Sequence, residues 1–264
     1  MSPAASTPDN TPAVDSLLQV RDLHKRFDRQ VVLDGVSLHV NRGETLVVLG
    51  PSGAGKSVLL KCIVGLLRAD AGAITWRRRR IDGLSERELA GVRREVGFLF
   101  QLGGLFDSMS VAQNVAFPLR EHLGLKLDAC MDRVQAVLDL VGMGEFLHAE
   151  LADLSGGQQR RVALARAIVL EPTALLYDEP TTGLDPVRSD IVAQIIRRLQ
   201  SELSLTAIVV THDIALARKV ADRMLLLNHG RVHVCDKAQA VLDSPDPIVR
   251  QFLEGTAPPL QEHT

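Results

Sequence analysis

The chain has 264 residues, 46% of them apolar and only 3% aromatic, and 30 Lys and Arg stand against 32 Asp and Glu for a formal charge of -2. That length holds one large domain or two small ones with a real core, and the charge balance excludes a protein-wide attraction to nucleic acid or to an anionic membrane. Cys62, Cys130 and Cys235 are far apart and form no CxxC or Cys/His cluster, so they read as reduced thiols in a cytosolic protein without a zinc site.

Residues 1–16 are rich in Pro, Ala, Ser and Thr and lack a basic start followed by an apolar run. They are expected to form a disordered tail rather than a secretory signal. No window reaches the roughly 18 uninterrupted apolar residues of a membrane span. Segments 17–27 and 30–40 alternate apolar and polar residues and predict antiparallel strands with one solvated face. "ETLVVLG" at 44–50 predicts a strand buried on both faces, and 55–67, apolar nearly all round, a deeply buried helix. A hairpin is expected over 73–83 and a buried strand over 96–100. Helical periodicity follows at 110–122, 128–142 and 156–170, the first of these ending near Pro118. Strand and helix then alternate: strands at 174–178, 206–211 and 223–228, helices at 187–203 and 214–221. This is an α/β core interrupted by a helical insertion, with β-rich additions early and late. The segment 256–264, with Pro258 and Pro259, is expected to be loose.

"GPSGAGKS" at 50–57 has the G-x-x-x-x-G-K-[ST] spacing of a phosphate cradle. A polyphosphate needs several backbone N–H donors close together, and Gly53 and Gly55 allow that approach. Lys56 supplies a cation and Ser57 a hydroxyl for Mg²⁺, and the helix that starts there favours an anion. The pattern arises by chance in about one chain of this length in a hundred, but here it lies between a predicted buried strand and a predicted helix. "TALLYDEP" at 173–180 ends an apolar strand in Asp178 and Glu179, the placement of one carboxylate for Mg²⁺ and one for an attacking water. In "LSGGQQRR" at 154–161, Ser155 is a good helix N-cap, and Gly156 and Gly157 leave the helix start open to a phosphate from outside.

With these residues in hand, the chain resembles the ATP-binding subunits of ABC transporters over about residues 17–245, with six motifs in the family's order: the P-loop at 50–57, Gln101 as the Q-loop glutamine, the signature at 154–158, Asp178 and Glu179 closing the Walker B strand, Asp185 in the D-loop, and His212 as the switch histidine. The resemblance implies an α/β fold: a P-loop, RecA-like ATPase core with an N-terminal antiparallel β subdomain and an α-helical subdomain inserted at about 102–168, the whole domain covering 17–255. It implies ATP and Mg²⁺ as cofactors. The nucleotide would be held by Phe27, Gly50, Pro51, Ser52, Gly53, Ala54, Gly55, Lys56, Ser57, Val58 and Gln101, and across a dimer by Ser155, Gly156, Gly157, Gln158 and Asp185 of the other subunit. Ser57, Gln101 and Asp178 would serve the metal, and Glu179, His212 and Lys56 the chemistry. Phe27 stands where many members carry tyrosine, and stacking on adenine survives that exchange.

The segment from Gln101 to Leu119, "QLGGLFDSMSVAQNVAFPL", lies where the family's permease docks, and two readings stand: an exposed docking surface, or packing inside the helical subdomain. Its wording, together with "GKSVLLKCIVGLL" and "DPIVRQFLEG", is closest to the ATPases of Mla/Mce-type phospholipid transport systems. That resemblance implies a second ATPase subunit as partner, an integral permease, an Mce-domain protein, a small STAS-domain protein, no nucleic acid, and a peripheral place on the cytoplasmic face of the inner membrane. A small-solute importer shares every catalytic motif and remains the alternative. A soluble ABC protein of ribosomes or DNA fits less well, because this chain has a single P-loop and a single signature. "WRRRR" at 76–80 reads as a solvated hairpin with a charged edge, with attraction to anionic lipid headgroups as the competing idea.

Overall fold

Alternation of apolar and polar residues sets the first two strands, Ser16–Phe27 (β1) and Gln30–Asn41 (β2), which pair antiparallel from Phe27 opposite Gln30 to Ser16 opposite Asn41. The computed structural model describes residues 16–101 and 103–256. The expected tails 1–16 and 256–264 therefore lie outside the described residues, apart from Ser16, which opens β1, and Thr256, whose N–H donates to the Gln251 carbonyl at 3.1 Å. Thr45–Leu49 (β3) follows, buried at every position, and then Lys56–Ile63 (α1). The helix is shorter than the apolar run suggested. Gly65 adopts φ 68°, a left-handed conformation that stops helices, and Leu66 emerges 47% exposed.

Ala71–Trp76 (β4) and Arg79–Arg80 (β5) form the expected hairpin beside β1 and complete a four-stranded sheet in the order β2-β1-β4-β5. Arg77 and Arg78 both have positive φ, 46° and 66°, the backbone of a two-residue turn matched to strand twist. Trp76 is buried and its indole N–H donates to Glu95. Arg77, Arg79 and Arg80 each meet a carboxylate, of Glu95, Glu88 and Asp82, at 2.9–3.0 Å. Their charge is directed at the protein, which weighs against a lipid-binding role for the hairpin.

Glu86–Arg94 (α2) escaped the periodicity, although Ser85 and Glu88 form a capping box that announces it. Val96–Leu99 (β6) leads to three helices: Val111–Leu123 (α3), Leu127–Leu140 (α4) and Gly156–Ile168 (α5). Pro118 does not close α3; the helix runs through it to Leu123 and ends at Gly124 in the left-handed region. Burial of Val111, Ala112, Val115, Ala116 and Leu119 along one face outweighs the one backbone hydrogen bond that proline forgoes. Ala174–Asp178 (β7), Pro186–Leu203 (α6), Thr206–Thr211 (β8), Ile214–Val220 (α7) and Arg223–Asn228 (β9) restore the α/β alternation. Arg231–Lys237 (β10), Ala238–Leu242 (α8) and Pro247–Glu254 (α9) close the described chain.

The second sheet has the order β10-β9-β3-β8-β7-β6, parallel except for β10 at its edge. Both its faces are covered. Val47 and Leu49 point into a core shared with α3 to α7, whereas Leu46 and Val48 point into one shared with α1 and the β1/β2 sheet. This two-sided burial is why β3, β7 and β8 read as continuous apolar runs.

The loop between β6 and α3 is organised by Asn114, which is fully buried. Its side-chain oxygen accepts from the Phe106 N–H at 2.8 Å, and its amide donates to the Phe106 and Met109 carbonyls at 3.1 and 3.0 Å. Removing a buried partner leaves those groups without water to replace it. Asn114→Ala is expected to lower the unfolding free energy by about 2–3 kcal/mol in urea denaturation; a loss under about 0.5 kcal/mol would mean that the loop closes without it.

Candidate functional site

The C-terminal ends of β3, β8 and β7 lie side by side, with Leu49 opposite Thr211 and Val210 opposite Asp178. The residues that follow each strand therefore share one edge of the sheet, where open α/β sheets bind ligands. From β3 the chain enters the loop 50–55 and then α1. A Cβ on Gly50 would come within 2.3 Å of the Leu227 carbonyl, and one on Gly55, at φ 99°, within 2.7 Å of the Val32 carbonyl. Only glycine fits at either place. Gly53, at φ 81°, faces open space. The two candidate phosphate glycines thus differ: Gly53 leaves room for a ligand, and Gly55 lets the loop close on β2.

Lys56 is 6% exposed, and its ammonium donates to the Gly50 and Pro51 carbonyls at 2.7 and 3.1 Å. The loop is curled around its own cation. The Ser57 hydroxyl donates to Asp178 Oδ1 at 2.6 Å. Burial pushes the Asp178 carboxyl above its ordinary pKa, and the neighbouring Glu179 charge adds to this, against the Ser57 hydrogen bond and the charges of Lys61 and Lys56. Glu179 sits at φ 50°, a left-handed conformation uncommon for a residue with a side chain. It is held from four sides. His212 Nδ1 lies 2.8 Å from Oε2, Lys56 Nζ lies 3.4 Å from Oε1, and the Thr182 and Thr211 hydroxyls each donate to Oε2 at 3.4 Å. Glu179 is 8% exposed, so these partners meet it largely away from water.

Lys56, Ser57, Glu179, Thr182 and His212 line an open cleft of about 600 Å³ together with Phe27, Val32, Ser52, Gly53, Gly55, Val58 and Gln101. Phe27, at the end of β1, is 43% exposed, with the Lys25 ammonium 5.3 Å from its ring centre. Ala54 is buried beneath the loop, and Gly50 and Pro51 contribute the carbonyls that hold Lys56.

Ser155, Gly156, Gly157, Gln158 and Asp185 are not in this cleft. Ser155, Gly157 and Gln158 line a separate hollow with Arg161, Leu184 and Arg188. Ser155 caps α5 as expected, in a reciprocal box with Gln158. Gly156 opens to empty space, while the Arg188 side chain covers Gly157. Asp185 caps α6, accepting from the Val187 and Arg188 N–H groups, both at 3.0 Å. One chain thus carries two separated halves, a cationic cradle with carboxylates and an open helix N-terminus.

The family model for ABC transporters matches residues 33–182. The chain belongs to the ABC transporter family. It is an ABC-type ATPase and binds ATP. It is 41% identical over 238 residues to the probable ribonucleotide transport ATP-binding protein mkl of Mycobacterium leprae, covering 90% of this chain and 69% of that one. It is 39% identical over 245 residues to the intermembrane phospholipid transport system ATP-binding protein MlaF of Escherichia coli, covering 93% and 91%. The dimeric ATP-binding cassette MJ0796, solved in a post-hydrolysis state with ADP and Pi, superposes with a TM-score of 0.76 at 30% identity, over 84% of this chain and 98% of that one.

Several neighbours of Glu179 were not anticipated from the sequence. Thr182 and Thr211 hold Glu179, and Arg160 reaches the same region from α5. Thr211 adjoins His212 at a strand end, a position that points to it; nothing in "QQRR" singles out Arg160 over Arg161. Because its pKa is raised on folding, Asp178 costs stability as pH climbs from the ordinary carboxylate value through the raised one. Asp178→Asn, which keeps an acceptor for Ser57, is expected to raise the urea midpoint of the nucleotide-free protein at pH 7. The gain should vanish below about pH 4, where the carboxyl is protonated folded or unfolded. An unchanged or lower midpoint at pH 7 would contradict this.

Proposed function

We propose that this ATPase powers an ABC transporter that moves phospholipid between the inner membrane and a periplasmic Mce-domain partner, working as a pair of copies on the cytoplasmic face of a permease. The observation that carries the lipid reading is the 39% identity to MlaF along 93% of the chain, which includes the distinctive segment after Gln101. A small-solute importer is the second reading, favoured by the 41% identity to the ribonucleotide transport protein mkl. Among the described residues no helix is long and apolar enough to cross a membrane; in this reading the permease is the passage.

In this reading Phe27 stacks on adenine and the 50–58 segment wraps the phosphates with backbone N–H groups. Lys56 leaves the Gly50 and Pro51 carbonyls for the β/γ oxygens. Ser155 to Gln158 of a second copy close over the γ-phosphate from the opposite side, with Asp185 at the seam. The two hollows have no lining residue in common within one chain, which supports this division, and so does the dimeric MJ0796 cassette. The Ser57 hydroxyl, the Asp178 carboxylate and the Gln101 amide are hard oxygen donors that suit Mg²⁺, and Ser57 and Asp178 already lie within 2.6 Å of each other. Bound there, Mg²⁺ would neutralise phosphate charge during transfer. Glu179 orients the attacking water and accepts its proton, and His212 moves from Glu179 to the γ-phosphate. Catalysis is positioning plus electrostatic stabilisation.

The docking surface is narrower than the sequence suggested. Val111, Ala112, Val115, Ala116 and Leu119 are core, and Leu102 lies outside the described residues, but Phe100 and Phe106 remain 39% and 40% exposed. These two rings are the apolar contact offered to the permease.

Glu179→Gln is expected to bind ATP within about threefold of wild type while turnover falls at least about a hundredfold, read by nucleotide titration and phosphate release. Wild-type turnover would remove Glu179 from the mechanism. Affinity purification of the tagged protein from detergent-solubilised native membranes, with proteins and lipids identified by mass spectrometry, tests the substrate. A multi-spanning permease with an Mce-domain protein and phospholipid is expected. A permease with a solute-binding protein would shift the substrate to the importer reading.

A further inference from the structure

Arg160 lies on the first turns of α5, behind the signature glycines, and is half-buried. Its guanidinium donates to three backbone carbonyls. Nη2 reaches Gln101 at 2.8 Å, and Nη1 reaches Pro180 at 2.8 Å and Thr182 at 2.9 Å. Gln101 is 59 residues away in the chain, and Pro180 and Thr182 are 20 and 22 away. Pro180 follows Glu179, whose φ of 50° needs support from its surroundings. Thr182 donates its hydroxyl to Glu179 itself. A second arginine of the same helix, Arg166, donates to the Gly103 carbonyl at 3.0 Å and lies 5.6 Å from the centre of the exposed Phe106 ring.

We propose that Arg160 is a positioning residue for ATP hydrolysis, a three-carbonyl clamp through which the signature helix sets the Gln101 loop and the Glu179 turn relative to each other. The inference rests on the assignment of Gln101 and Glu179 to the ATP site. Carbonyl partners make this fork a device for placing backbone; a carboxylate partner would chiefly neutralise charge. A planar fork with donors on both terminal nitrogens can hold two chain segments at once, which a lysine ammonium reaches only with looser geometry. Movement of the Gln101 loop by a docked permease is then felt at Glu179 and at the N-terminus of α5 together, because one rigid group joins all three.

The test compares wild type with Arg160→Ala, Arg160→Lys, Arg160→Gln and Gln101→Ala in the full-length protein. It reads kcat, KM for ATP, the Mg²⁺ concentration for half-maximal rate, and thermal midpoint. Arg160→Ala is expected to lose about ten- to a hundredfold in kcat with KM within about threefold. The thermal midpoint should move no more than a typical surface substitution moves it. The half-maximal Mg²⁺ concentration should rise severalfold, in parallel with Gln101→Ala, and Arg160→Gln and Arg160→Lys should recover part of kcat. A kcat within about twofold of wild type, an unshifted Mg²⁺ requirement, or a kcat loss matched by a fallen thermal midpoint would overturn the clamp. If Arg160→Ala does not fold, Arg160→Lys and Arg160→Gln decide by the same criteria. Gln101→Ala with wild-type turnover and Mg²⁺ dependence would instead remove the assignment of Gln101, a failure distinguishable from that of Arg160.

Discussion

Three parallel strands, β3, β8 and β7, are buried on both faces, and that burial fixes their register. A slip by one residue would exchange Val47 and Leu49 for Leu46 and Val48 between two different cores. Because the register is held, the residues just past the strand ends are held too. Gly50, Asp178 and His212 reach one edge from three distant parts of the chain. The chemistry of the cleft is therefore a consequence of apolar packing several residues away from it.

At that edge the protein gathers charges that need one another. Lys56 turns to backbone carbonyls and to Glu179, Glu179 turns to His212, and Asp178 turns to Ser57. Lys56 meets the Glu179 carboxylate at 3.4 Å, and burial pushes the Asp178 carboxyl above its ordinary pKa. An anion with its own cation is the complement to such an arrangement.

The helical insertion shares an apolar core with the sheet, and polar side chains add ties to this edge. Asn114 closes the loop after β6 from inside, and Arg160 and Arg166 hold it from α5. The exposed Phe106 ring lies 5.6 Å from Arg166 at the end of those ties, and Arg160 of the same helix reaches the Pro180 carbonyl beside Glu179, so ring and carboxylate are linked through side chains of α5.

Much of the fold was legible in the sequence because its signals are local. Alternation announced β1 and β2, continuous apolar runs announced β3, β7 and β8, and Ser155 announced the start of α5. The motif residues could be named, since the spacing of glycines, Lys56 and Ser57 is a property of adjacent positions. Elements whose sequence is polar or short, such as α2 and β10, did not stand out, and Pro118 misled because its local cost is overridden by a buried face. What only the tertiary structure decided are the long-range contacts and the burial: His212 and Lys56 on Glu179, the burial of Val111, Val115 and Leu119 beside an exposed Phe106, and the reach of Arg160 to Gln101 and Pro180. Periodicity reports which face of an element is apolar; it carries no information on which distant carbonyl a flexible side chain will meet once the faces have packed.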